Sequence, residues 1–296
     1  MIRNIAKISM LAATLLVAAC SSDNNSTNGS AGASASNGAS GSAGSSGSPG
    51  MGTFVPPTDP GPSGILFAAS GEVLALTGYA FPPADPMGAA FVDGWQIDFT
   101  HLLVTIDHVK LSENPDMSAG DQSQTGKLVA QVDGPWAVDL SHSDPSYLPG
   151  KGGPGEQAVP IAALSNQNKN GGAPFATDGT RYAFGFDTIP ASATALSVNL
   201  DGEAQAAYQA MAQSGCVVTY MGTATFKGGT VAGHTDCDIY PDWPKTVNFN
   251  LCFKSPTTYI NCQNPDNMNA TPLGTDEYER GIAFQTSGSV IGQVTI

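Results

Sequence analysis

The chain has 296 residues, with 25 acidic side chains against 11 basic ones, a net charge of −14 at pH 7 and a charged fraction of only 12%. Arg3 and Lys7 precede residue 20 and no acidic residue does, so the remainder holds nine basic residues against 25 acidic ones, a net charge of −16. That balance excludes a nucleic-acid partner, which needs a basic footprint, and disfavours docking of the protein part on anionic lipid; it suits divalent cations, basic partners or plain solubility.

Ile8 to Ala19 is apolar apart from Ser9 and Thr14, and twelve residues separate Lys7 from Cys20. That is too few to cross a hydrocarbon core of roughly 30 Å as a helix. The shape is that of a secretory signal, which is removed from the mature protein. The run Val17-Ala18-Ala19-Cys20 resembles the lipobox of bacterial lipoproteins. The resemblance implies a signal peptide over residues 1–19 and a lipidated Cys20 as the first mature residue. That cysteine would carry a thioether-linked diacylglycerol and an acylated amine, palmitate being the usual acyl group. Each buried CH₂ contributes about 0.8 kcal/mol, so several chains together anchor firmly. Ser21 and Ser22 follow where that family uses an aspartate for inner-membrane retention, so the expected address is the outer membrane, periplasmic or surface-exposed. The alternative is an ordinary signal with an incidental cysteine.

Residues 21–50 are almost entirely Ser, Gly, Ala and Asn. Such a composition behaves as a flexible coil, with a root-mean-square reach of about 30 Å for a segment of this length. Pro56, Pro57, Pro60 and Pro62 then stiffen the approach. The expected organisation is a lipidated linker over residues 20–63 and a single domain over residues 64–296. Helix signals are scarce in that domain. Short runs rich in Val, Ile, Thr, Phe and Tyr alternate with Gly- and Pro-rich turns. The expected fold is mainly β, an antiparallel β-sandwich with long loops and one or two short helices.

In chain order, Gly64 to Ala69 reads as a first strand. Ser70 precedes a short helix with Glu72 in its first turn, Val73, Leu74, Leu76 and Tyr79 on its apolar face, and Pro82-Pro83 as its stop. Trp95, Ile97 and Phe99 alternate with Gln96 and Asp98 as in a half-buried strand. After a break near Thr100-His101, strict alternation puts Leu102, Val104, Ile106 and His108 on one face and Leu103, Thr105, Asp107 and Val109 on the other. Leu128–Val132 and Trp136–Leu140 are strands joined by Asp133-Gly134-Pro135. Val159 to Leu164 reads as a strand or a helical turn. Tyr182 to Asp187 is a strand with one aromatic face, and Leu196, Val198 and Leu200 follow. Glu203 to Gln213 is the clearest helix, with Gly215 as its stop. Val217–Phe226, Val247–Phe253, Thr258–Asn261, Ile282–Gln285 and Ser289–Ile296 complete the strands.

Four cysteines lie beyond Cys20: Cys216, Cys237, Cys252 and Cys262. An even number in an exported chain reads as disulfides, with three possible connectivities. Turn symmetry about Gly228-Gly229 and about Ser255-Pro256 favours Cys216–Cys237 and Cys252–Cys262. A four-cysteine zinc site is the rival, but no Cys-x-x-Cys is present.

Four histidines are available for chemistry: His101, His108, His142 and His234. There is no His-Glu-x-x-His, no Gly-x-Ser-x-Gly and no phosphate loop. The best constellation is His101, Asp107 and His108. On a continuous strand the two histidines point to opposite faces, so they share a metal only if the chain breaks between them. A single imidazole near a Met or Trp is a possible copper ligand set; the plain alternative is a strand histidine paired with a carboxylate. Glu113, Asn114, Asp116 and Asp121 form an oxygen-rich loop suited to Ca²⁺, and Asn264, Asp266, Asn267 and Asn269 a second. Neither fits an EF-hand, and ordinary turn chemistry explains both. Trp95 and Trp136 read as core, whereas Trp243 sits in a Pro-flanked loop and is the candidate ring for stacking on a glycan.

The stretch Phe99 to Leu111, with Leu-Leu-Val-Thr-Ile-Asp-His-Val-Lys-Leu, resembles strands of uncharacterised bacterial lipoprotein β-sandwiches. Some similar folds belong to the methanobactin-associated copper-binding group. Its ligand residues do not match one by one here, so the similarity implies a fold more than an activity. The expected role is a lipid-anchored cell-envelope protein, non-catalytic, that binds a cation, a glycan or an envelope protein, or serves a structural purpose. The alternatives are a metal-handling lipoprotein, with copper or Ca²⁺, and a hydrolase.

Overall fold

The computed structural model describes residues 21–22, 51–53, 64–83, 94–118, 121, 123–142, 148–149, 157–164, 180–228, 244–262, 281–283 and 290–295. The signal segment 1–19, Cys20, nearly all of the linker, Cys237, His234, Trp243 and the second Asn/Asp loop lie outside the described residues.

The protein is mainly β, as the alternation predicts. The longer strands are β1 (Gly64–Ala69), β2 (Trp95–Ser112), β3 (Leu128–Val132), β4 (Trp136–Asp139), β5 (Gln157–Leu164), β6 (Arg181–Thr188), β7 (Val218–Phe226), β8 (Thr246–Phe253), β9 (Thr257–Ile260) and β10 (Val290–Thr295). Two helices, α1 (Glu72–Thr77) and α2 (Gly202–Ser214), accompany them. Among the described residues the strands form two sheets, neither of them a closed barrel. In the smaller sheet β1 lies between β10 and β5. The larger one is built around β2. Its 18 residues pair with β7 along Trp95–Val104 and with β6 along Ile106–Ser112. Its other edge pairs with β4 and then β3. Most pairings are antiparallel, but β10 runs parallel to β1, and Leu196–Ser197 runs parallel to β4, a departure from the all-antiparallel expectation.

The face pattern of β2 departs from strict alternation, and the reason is local. The register against β7 skips Thr100, and the register against β6 gains one residue between Asp107 and Lys110. Each extra residue is a β-bulge, which shifts the phase of the strand by one. Trp95, Ile97 and Phe99 therefore share a face with Leu102, Val104 and Ile106, and that face continues through Val109 and Leu111. The sequence-based grouping of His108 with Ile106 is thus corrected: Val109 takes the core position and His108 is the bulged residue. Its φ of +46° lies in the left-handed region, where His is among the more tolerated side chains.

Val104, Ile106, Val109 and Leu111 join Ile65 and Phe67 of β1, Val159 and Ile161 of β5, Trp136 of β4 and Phe184 and Phe186 of β6 in one buried cluster. It draws on both sheets, and Phe67 stacks on Phe184 with ring centroids 5.7 Å apart. Trp136 is core, as expected, whereas Trp95 is only half-buried, edge-on to Phe226. The opposite face of β2 is covered by α2. Leu103 packs there with Ala204, Tyr208 and Met211, and Thr105 shares a 2.8 Å hydrogen bond with the Tyr208 hydroxyl.

α2 forms where the sequence placed it. Asp201 caps it by accepting from the Glu203 and Ala204 amides, and Gly215 ends it with φ +67°. α1 is shorter than expected: it ends at Gly78, ahead of the prolines, because Tyr79 turns out to bridge Ile97 of β2.

The expected disulfide pairing is overturned. Cys216 bonds Cys252, with a Cα separation of 5.5 Å, and Cys262 is disulfide-bonded to a partner outside the described residues. The turn after Phe226 is not a tight hairpin. β7 pairs with β8, which begins at Thr246, and Thr219 faces Cys252, so Cys216 at the head of β7 meets Cys252 rather than Cys237. Nor do β8 and β9 form a hairpin that would align Cys252 with Cys262. β9 pairs with β6 instead.

Candidate functional site

The bulge in β2 places His108 beside three carboxylates, one from its own strand and two from distant points of the chain. Asp107 precedes it on β2. Asp187 stands directly opposite Asp107 on β6. Asp133 comes from the Asp133-Gly134-Pro135 turn between β3 and β4. Gly134 lets that turn close up: its amide donates to Asp107 Oδ1 at 2.7 Å, and a Cβ there would lie 2.7 Å from the Trp136 ring. The His108 amide donates to the same oxygen at 2.8 Å.

The imidazole of His108 is fixed at one end. Nδ1 donates to Asp187 Oδ2 at 2.8 Å, and Lys110 Nζ reaches the other Asp187 oxygen at 3.4 Å. A carboxylate only accepts, so Nδ1 carries a hydrogen, and Nε2 is the nitrogen that offers a lone pair in the uncharged form of the imidazole. Nε2 faces Asp107 Oδ2 across 3.8 Å, too far for a hydrogen bond. Asp133 Oδ1 accepts from the Gln131 side chain at 2.7 Å, which leaves its second oxygen. One ligand atom each from Asp107, His108 and Asp133 all lie within 4.8 Å of one another. Asp107 is 8% exposed, while the His108 side chain is 42% exposed and Asp133 is on the surface. Directly opposed like charges destabilise a sheet unless something bridges them. Here His108 and Lys110 answer Asp187, and among the described residues no donor hydrogen-bonds Asp107 Oδ2.

Of the residues singled out from sequence, Asp107 and His108 enter this site and His101 does not. His101 projects from the α2-covered face, where its Nδ1 meets Asp139 Oδ2 at 2.7 Å and its Nε2 is buried without a partner. Asp139 Oδ1 accepts from the Leu102 amide and from the Ser141 amide and hydroxyl. The α2 cap Asp201 also feels His101 and His142. Its carboxyl is held below the ordinary range, chiefly by the Ala204 amide, with those two histidines adding to the effect.

The oxygen-rich loop is not gathered around a common point. Asp116 is taken up by an ion pair with Arg181, in a cleft of about 360 Å³ lined by Asn114, Pro115, Met117 and Thr180. Asp121 is used within its own turn. The Ser123 hydroxyl, the Gln124 side chain and the Ser123 amide donate to it and hold its carboxyl below the ordinary range. Glu113 is exposed, and its backbone bonds Gly126 and Lys127 across the loop.

Sequence reasoning missed Asp133, Asp187, Lys110 and Asp139. Asp133 carried a visible signal, the Asp-Gly-Pro turn, but that reads equally as turn chemistry. Asp187 had none, because only the pairing of β6 with β2 sets it against Asp107. No known protein family, curated protein or solved structure matches this chain.

Proposed function

We propose that the protein is a lipid-anchored protein of the cell envelope with a non-catalytic binding role, and that it binds a metal cation at the β2 bulge. The lipobox-like Val17-Ala18-Ala19-Cys20 and the Ser/Gly-rich segment after it support the anchor, with the outer membrane as its address. The Cys216–Cys252 bond and the oxidised Cys262 support an oxidising compartment. The observation that carries the binding role is the convergence of Asp107, His108 and Asp133. The hydrolase reading gains less. His101 with Asp139 resembles the base and orienting group of a triad, but among the described residues no hydroxyl or thiol bonds the buried Nε2.

Mass spectrometry of the amino-terminal peptide from the membrane fraction tests the anchor: an acylated Cys20 is expected, and an unmodified amino terminus sinks it. Elemental analysis of the natively purified protein tests the binding role. A stoichiometric metal that disappears in His108→Ala is expected, and a metal-free protein that takes up none on titration removes it.

A further inference from the structure

We infer that the bulge takes a borderline divalent cation of the zinc class, through Asp107 Oδ2, His108 Nε2 and a carboxylate oxygen of Asp133, with a further coordination position open to solvent. Asp187 is the positioning residue. The inference rests on the cation-binding role proposed for this site and narrows it to one class of ion and one set of ligands.

The first argument is the character of the three atoms. Each can offer a lone pair, Nε2 in the uncharged form of the imidazole, and among the described residues no donor bonds Nε2 or Asp107 Oδ2. The Nδ1 hydrogen of His108 is committed to Asp187. Asp107 accepts two backbone hydrogen bonds at Oδ1, and among the described residues no donor bonds its Oδ2, which lies 3.8 Å from Nε2. With the Asp107 side chain 11% exposed, that oxygen is open to a cation entering from solvent, which would take the place of water there. Lys110 does not supply that charge, because its ammonium sits on the Asp187 side of the ring.

The second argument is distance. Zinc bonds nitrogen and carboxylate oxygen at about 2.0–2.2 Å, so two ligands of one ion lie at most roughly 4 Å apart. The 3.8 Å between Nε2 and Oδ2 falls inside that limit and outside hydrogen-bonding range. Asp133 is an exposed turn residue, so its side chain can close the remaining gap by rotation.

The third argument is the donor set. Ca²⁺ takes 6–8 oxygen ligands and Mg²⁺ an octahedron of oxygens; neither favours an imidazole. One imidazole and two carboxylates suit a zinc-class ion. His108 also has the outer partner that metal-bound histidines use: Asp187 on Nδ1 fixes the tautomer and raises the basicity of Nε2. The exposure of His108 and Asp133 leaves one side of the ion to solvent, which makes the site exchangeable rather than sealed.

The test is titration of the untagged full chain, stripped by chelator, with ZnCl₂, CaCl₂ and MgCl₂ by calorimetry. CoCl₂ absorption reads the coordination number. One zinc ion per chain is expected, with calcium and magnesium far weaker and intense cobalt bands of a four-coordinate ion. His108→Ala and Asp107→Asn should abolish zinc binding. Asp187→Asn should weaken it about 10–100-fold, because it disturbs an outer partner rather than a ligand. Asp187→Glu should recover part of that loss. Urea melts of each variant report whether the fold survives, and His142→Ala serves as a control that keeps zinc binding.

Calcium binding tighter than zinc, insensitive to His108→Ala, overturns the ion class while leaving a cation-binding role intact. Failure of every ion to bind ends both. Stoichiometric zinc that survives His108→Ala and Asp107→Asn overturns the ligand assignment. An Asp187→Asn variant with unchanged zinc affinity overturns the positioning role.

Discussion

His101 with Asp139 and His108 with Asp187 are one chemical pair built twice on β2, with Nδ1 to carboxylate distances of 2.7 and 2.8 Å. They differ in where the second ring nitrogen goes. His101 Nε2 is sealed beneath the α2 side of the sheet, and its aspartate is saturated by the Leu102 amide and Ser141. His108 Nε2 opens onto two carboxylates at a half-exposed bulge. The comparison teaches that the pair itself marks no function. A closed surround makes it part of the architecture, whereas convergent lone pairs with access to solvent make it a binding site.

Experiments that disturb the closed side should cost the most stability. Reducing the Cys216–Cys252 bond, or replacing both cysteines with alanine, releases a loop with a sequence separation of 36 residues and is expected to cost about 4 kcal/mol in a urea melt. The bond ties the end of α2 to β8, so hydrogen exchange should rise first in α2 and leave the bulge least affected. Asp139→Ala strands the His101 ring, the Leu102 amide and Ser141 together, and a loss of about 3 kcal/mol or more is expected. An Asp139→Ala protein that melts like the wild type would break the comparison, because the closed pair would then not be architectural.

Smaller effects sharpen it. Tyr208→Phe removes the partner of the buried Thr105 hydroxyl and should cost about 1–2 kcal/mol. Asp201→Ala should lower the Tm at neutral pH, with a pH dependence of fixed sign. The folded-state pKa of Asp201 is depressed, so its stabilisation is present above the unfolded carboxylate value. It fades as pH falls through the folded value, and the Tm gap between wild type and variant should close in acid. His108→Ala abolishes zinc binding and is expected to cost about 1 kcal/mol without metal, less than Asp139→Ala, because it removes the imidazole from Asp187 and puts alanine at a positive φ. A large destabilisation there would place His108 with His101 among the architectural residues.

The local features were legible in the amino-acid order because their causes are local. Asp201 and Gly215 bracket α2 by capping chemistry that needs only neighbours in the chain. The aromatic face of Tyr182, Phe184 and Phe186 follows from a period of two, and the buried cluster uses it as expected. Asp107 and His108 were visible as titratable side chains within an apolar strand. What sequence could not settle were relations between distant segments. The pairing of β6 with β2 set Asp187 against Asp107, and the closure of the Gly134 turn brought Asp133 to the same point. The two bulges decided which residues of β2 face the core, since one inserted residue reverses every side chain beyond it. The disulfide followed the same rule: turn symmetry suggested a near partner, but β7 pairs with β8, which carries Cys252. The sequence by itself therefore determined where most of the strands and α2 form. Their registers, which depend on contacts summed over the whole sheet, decided which side chains meet.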